Sequence, residues 1–144
     1  MSSTALDTSV IVAALLPWHG DHEASRRAIA HCRDRGDRLL LPLTVLAQSY
    51  SVLTRLPPGR RLRLAVVLEL LKKDLGARVD LVGTAPPDGW RLLEGAVAAG
   101  VSGGGIHDFE ILACAAASGA DRLLTLDSDD FLRFGDRGVE IASP

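Results

Sequence analysis

Three aspartates carry the chemistry this sequence offers. Asp7 follows the apolar pair Ala5-Leu6, and Asp127 follows Leu123-Leu124-Thr125-Leu126. Asp108 opens the apolar run Phe109 to Ala117, just after Gly103-Gly104-Gly105. Hydrophobic patterning does not require an acid at the end of a buried strand. Open parallel sheets hold their ligands at the C-terminal ends of strands, so Asp7 and Asp127 are expected on one rim. Asp108 would reach that rim from a helix N-terminus. Crowded carboxylates repel one another unless a cation lies between them, and an oxygen-only donor set suits Mg²⁺ or Mn²⁺ rather than zinc. Such an ion makes hydroxide from water and neutralises charge on a phosphate, which points to phosphodiester hydrolysis. Each aspartate taken alone also has a plainer role as a cap or turn residue, and spacing does not establish that the three meet.

The elements that must position these residues are legible as an alternation. Ala5-Leu6, Leu39 to Pro42, Asp80 to Gly83, Arg122 to Leu126 and Val139 to Ile141 read as short strands. Between them lie helical stretches starting at Val10 and Asp21, then Leu46 to Leu56, Leu62 to Leu75, Trp90 to Ala99 and Ile106 to Ser118. Thr8 or Ser9 is expected to cap the first helix, and Asp130 is read as a cap before Phe131. Strands alternating with helices imply an α/β fold, a central parallel sheet flanked by helices on both faces. In the fourth helical stretch Val66, Val67, Leu68, Leu70 and Leu71 nearly surround the axis. Such a helix is either central to the core or covered by a partner.

Composition narrows the function classes. The 144 residues are 47% hydrophobic and 24% charged, enough for one domain with a real core. A net charge of −2 excludes a strongly basic nucleic-acid coat, though not a local basic patch. Aromatic content of 4% argues against an extended base-stacking platform. Cys32 and Cys114 are far apart, and with His19, His22, His31 and His107 they form no zinc-finger pattern. No signal peptide or membrane-spanning run is evident, so a reduced, cytoplasmic protein is expected.

Four segments in order carry a family resemblance. Leu6-Asp7-Thr8-Ser9-Val10 is similar to the opening of a PIN domain of the VapC-type toxin ribonucleases. Leu46 to Pro57, His107 to Ala115, and Leu124 to Phe131 resemble that family's second, third and fourth motifs. Any one of them is weak; four in the right order and spacing are specific. The resemblance implies a single PIN-like domain over residues 1–144 and a divalent-metal-dependent endoribonuclease using Mg²⁺, with Mn²⁺ as a substitute. Asp7 and Asp108 would be the main metal ligands, Asp127 would complete the acidic site, and Thr125 would orient it through its hydroxyl. The substrate would be RNA. The partners would be a cognate VapB-type antitoxin and a second copy in a homodimer, and the near-continuous apolar surface of Leu62 to Leu75 would suit either.

One position departs from the family pattern: Gln48 stands where the second motif usually has a glutamate. Its carbonyl offers an oxygen but no charge. Three explanations stay open: a site that works with fewer carboxylates, partial substitution by Glu110, or lowered activity. Glu110 otherwise reads as a solvated helix residue, turned well away from Asp108. Arg55, Arg60 and Arg61, with Arg63, form the densest positive cluster and are candidates for RNA phosphates; a solvated helix face is the ordinary alternative. His19 and His22 lack a third ligand, which makes a phosphate contact or a surface role better than a metal site. His107 would sit at the mouth of the site or simply exposed at a helix start. The alternative function is a catalytically weakened PIN fold that binds RNA or protein. A phosphatase-type hydrolase would need a second aspartate two residues after Asp7, where Ser9 stands.

Overall fold

The computed structural model describes residues 2–144. Five strands form one parallel sheet: β1 (Ser3–Leu6), β2 (Arg38–Pro42), β3 (Asp80–Val82), β4 (Arg122–Leu124) and β5 (Glu140–Ala142), in the order β3-β2-β1-β4-β5. Each parallel pair needs a crossover, and helices supply the crossovers. These are α1 (Thr8–Leu15), α2 (His22–Asp34), α3 (Leu43–Leu53), α4 (Leu64–Leu75), α5 (Gly89–Ala98), α6 (Gly105–Ala117) and the short α7 (Ser128–Leu132). The fold class read from the sequence, a parallel sheet in an α/β architecture, is the one observed.

Position in the sheet explains the strand sequences. In β1, Ala5 lies opposite both Leu40 and Leu123, and Ala5, Leu6, Leu40 and Leu123 are fully buried. A strand covered on both faces reads as a continuous apolar run. The chain builds β2 and β3 on one side of β1, then returns to build β4 and β5 on the other. This reversal opens a crevice beyond the C-terminal end of β1, where open parallel sheets hold ligands. Asp7 stands there, between the last residue of β1 and the first of α1.

Three local readings need correction. β4 stops at Leu124, short of Leu126. Thr125 still donates its amide to Ala142, but the Leu126 amide turns to the Ser9 hydroxyl and leaves the ladder. Asp130 is not a cap: α7 begins at Ser128 with Asp127 at its N-cap position, and Asp130 lies in the first turn. Third, α4 is no central core helix. It buries Val67, Leu71 and Leu75 and leaves Leu64, Val66 and Leu68 exposed.

Three aromatic rings fasten the far side of the crevice. Phe134 meets Phe109 of α6 and Phe131 of α7 edge-to-face, with centroids 5.4 and 6.5 Å apart. This packing holds α7 against α6 and so fixes Asp127 relative to Asp108. No helix among the described residues is long and apolar enough to cross a membrane. Cys32 and Cys114 are both buried free thiols.

Candidate active site

A cleft of about 460 Å³ opens at the crevice, lined by Asp7, Thr8, Ser9, Gln48, Asp108 and Asp127, with His19 and Asp21 also on its wall. Asp7 is 4% exposed. Its Oδ2 accepts the hydroxyls of Ser9 and Thr125, each at 2.8 Å. Those hydroxyl oxygens in turn accept backbone amides. Ser9 Oγ takes the Leu126 N–H at 3.0 Å, and Thr125 Oγ1 takes the Asp127 N–H at 3.0 Å. A buried carboxylate needs such partners to stay folded in, and this network also ties β1 to the segment carrying Asp127. Neither Thr8 nor Ser9 caps α1. The Thr8 hydroxyl instead donates to Gln48 Oε1 at 2.8 Å, and Ser9 is spent on Asp7.

The other two carboxylates are looser. Asp108, in the first turn of α6, has Arg133 Nη2 3.8 Å from its Oδ2. Burial foremost, then the negative charges of Asp7 and Asp130, hold the Asp108 carboxyl above the usual aspartate range, with Arg133 pulling it back. Burial, followed by Asp7 and Asp130, also raises Asp127. The two shifts share a cause: negative charge accumulates on one side of the cleft without enough positive charge to balance it. Among the described residues no three acidic, histidine or cysteine side chains close tightly enough to form a ready-made metal cage. The arrangement is an open rim of carboxylates.

The structure therefore brings Asp7, Gln48, Asp108 and Asp127 to one cleft. Thr125 is fully buried, does not line it, and reaches it only through Asp7 and the Asp127 amide. Arg55, Arg60 and Arg61 lie exposed in the segment after α3, outside the cleft lining. Glu110 points elsewhere and is not simply solvated, since it accepts the hydroxyl of Thr44 at the start of α3. His107 is exposed and does not line the cleft. The His19 and His22 rings do not pair. His22 Nδ1 is bonded to the Ala13 carbonyl at 2.9 Å, and His19 Nδ1 accepts the Asp21 amide at 3.0 Å.

Sequence reasoning missed Ser9 as a partner of Asp7 and Asp21 as a wall residue; Asp130, read as a cap, instead contributes negative charge that acts on Asp108 and Asp127. For Ser9 a signal existed: a hydroxyl two residues past a strand-end acid is well placed to bond it. Asp21 gave none, because its position depends on the turn between α1 and α2.

Comparison with known proteins fits this geometry. Residues 4–136 match the sequence model of the PIN domain. The chain belongs to the PIN domain family. Over 58 residues it is 48% identical to Ribonuclease VapC40 of Mycobacterium tuberculosis, a match covering 40% of this chain and 39% of that protein. The PIN fold extends much further than that segment. The structure of VapC20 of M. tuberculosis, a Sarcin-Ricin loop cleaving toxin, superposes with a TM-score of 0.70 at 17% identity, covering 89% of this chain and 92% of that one. VapBC2 from Rickettsia felis, solved bound to a DNA fragment from its promoter, gives 0.67 at 16% identity and covers 98% of each chain.

Proposed function

We propose that this PIN domain is a divalent-metal-dependent endoribonuclease, the VapC-type toxin of a toxin–antitoxin pair. One observation carries the reading. Three carboxylates from separate parts of the chain line one cleft at the sheet's switch point, and burial and mutual repulsion raise two of them. A divalent cation relieves that repulsion. The donor set is oxygen alone, and its open spacing suits Mg²⁺, which keeps several waters and takes only one or two carboxylates directly. Asp7, Asp108 and Asp127 would hold it, and a bound ion would supply a polarised water and charge neutralisation at an RNA phosphate.

The chain's own residues then divide the work. Ser9 and Thr125 fix the Asp7 carboxylate in one orientation. Thr125 also sets the backbone at Asp127, so both walls of the cleft depend on one hydroxyl. Arg133 offsets part of the negative charge at Asp108. Gln48 keeps its place on the wall with its carbonyl engaged by Thr8, so the site is intact in shape and one charge short of the family pattern.

An apolar groove supports a protein partner. It has a volume of about 510 Å³ and is lined by Leu43, Leu46, Tyr50, Leu68, Leu71 and Leu81 among others. Leu43, Leu68 and Leu81 are about half exposed. Contiguous exposed apolar surface of this kind marks an interaction site, and an antitoxin or a second copy of the chain would cover it.

The test is cleavage of total bacterial RNA with Mg²⁺ or Mn²⁺, comparing the chain with Asp7→Asn and with EDTA present. The expected result is metal-dependent cleavage that Asp7→Asn abolishes. RNA binding that survives both EDTA and Asp7→Asn, with no cleavage under any condition, would replace the nuclease with a binding module.

A further inference from the structure

Trp18 is 45% exposed, and of the two tryptophans it is the one whose ring meets a cation among the described residues. It lies in the turn between α1 and α2, one residue before His19, which lines the cleft. The guanidinium carbon of Arg60 stands 4.1 Å from the centre of its ring. Arg60 comes from the segment after α3, the helix that carries Gln48 and Val52 into the cleft wall. Two loops from different crossovers thus meet beside the cleft mouth in a cation–π stack.

The segment that brings Arg60 to the stack is positive. Among the described residues, none of Arg55, Arg60, Arg61 or Arg63 pairs with a carboxylate, and all four are exposed. A solvated helix face normally interleaves its arginines with acids, yet residues 55–63 contain no acid at all. The stack removes the usual cost of ordering two long side chains when a ligand arrives, because each already holds the other. Its chemistry is flat, π-faced and cationic.

We infer that Trp18 and Arg60 form a stacking shelf for an unpaired nucleobase of single-stranded RNA, with Arg55, Arg61 and Arg63 taking the flanking phosphates. The shelf rests on the ribonuclease reading, and adds to it the means by which a strand is placed across the cleft. Base–aromatic stacking tolerates any base, so the shelf favours looped or single-stranded RNA over duplex RNA, whose bases are already stacked. Trp18 and Arg60 are positioning residues: they touch substrate beside the cleft and no reacting atom.

The experiment uses Asp7→Asn as a non-cleaving background, with Trp90→Phe leaving Trp18 as the sole indole. A short single-stranded oligoadenylate is titrated in EDTA, and both indole emission and RNA anisotropy are followed. Emission should be quenched on binding, and an abasic RNA of the same length should bind without quenching. Trp18→Ala should weaken oligoadenylate binding about tenfold with the salt dependence unchanged. Arg61→Ala should weaken it while lowering the salt slope by about one unit. Trp18→Phe should restore most of the affinity. Unquenched binding, with equal affinity in Trp18→Ala, would overturn the shelf; metal-dependent cleavage by the chain with Asp7 restored would then show the ribonuclease reading still standing. Absence of both RNA binding and cleavage would overturn the two together.

Discussion

Thr125 donates its hydroxyl to Asp7 across a sequence separation of 118 residues, at 2.8 Å and fully buried. The same oxygen accepts the Asp127 amide. One side chain therefore orients the carboxylate that follows β1 and the backbone of the N-cap residue of α7. Thr125→Val keeps the shape and removes the hydroxyl, leaving Asp7 short of a donor and the Asp127 amide short of an acceptor. A loss of about 2 kcal/mol in urea unfolding is expected, with RNA cleavage reduced further than stability alone explains. Thr125→Ser should recover most of both. Equal stability of the valine and wild-type chains would show that neither bond matters.

The crowded carboxylates imply a conflict between stability and function. Burial and neighbouring negative charges raise Asp108, so its charged form destabilises the metal-free fold. Asp108→Asn should raise the metal-free melting temperature at pH 7 by about 1–3 °C, and the further rise expected of the wild type on adding Mg²⁺ should be absent from the variant. The sign follows from the raised carboxyl. As pH falls through its folded value, the wild-type group takes up a proton and loses the repulsion, so the advantage of the variant should shrink toward acid. Metal binding should weaken over the same range, since the ion competes with those protons. A calorimetric scan from pH 7 to pH 4, with and without Mg²⁺, reads all of these effects.

The acid positions were legible in the sequence because Asp7 and Asp127 follow apolar strand-like runs and Asp108 opens an apolar helix, although each could equally have served as a cap. Their convergence was not legible from patterning; it follows from the order of strands around β1, which only four motifs in sequence could foreshadow. The overextension of β4 has a particular cause. Thr125 and Leu126 continue an apolar, strand-like pattern, but Ser9 captures the Leu126 amide from 117 residues away. Glu110 was misread for the same reason, because Thr44, its partner, lies on another helix. The helix α4 shows the opposite limit. Its apolar run fits either a partner-covered face or a central core helix, and the exposure of Leu64, Val66 and Leu68 excludes the second.

Gln48 separates shape from charge. Its Oε1 accepts the Thr8 hydroxyl, and a glutamate oxygen would accept the same bond, so Gln48→Glu should fold without rearrangement. It would add a negative charge to a wall shared with Asp7, Asp108 and Asp127. Affinity for Mg²⁺ should rise about tenfold, roughly the effect of one further partly solvated charge. The metal-free protein should become less stable from the added repulsion. Titration calorimetry with Mg²⁺ and Mn²⁺ checks the first effect and thermal melting the second. Unchanged metal affinity in Gln48→Glu would place the ion away from this wall.

Away from the cleft, Asp37 ties the start of β1 to the start of β2. Its side chain is only 4% exposed and accepts bonds from Ser2, Thr4 and Arg35. The hydrogen bond from Arg35 foremost, then that from Ser2, holds its carboxyl well below the usual aspartate range. Its charge is thus worth most to the folded state above the unfolded-chain value of about 3.9, and that contribution is lost as pH falls below it toward the depressed folded value. Asp37→Asn keeps an oxygen for one hydroxyl but loses the charge that Arg35 pairs with. Arg35 is partly solvated, so a cost of about 1–2 kcal/mol at pH 7 is expected rather than that of a fully buried pair. Urea midpoints for the two chains should differ by a constant amount from pH 7 to about pH 5, then approach each other below about pH 4. A gap that stayed constant down to pH 2 would mean that Asp37 stabilises through shape alone and that the Arg35 pairing contributes nothing.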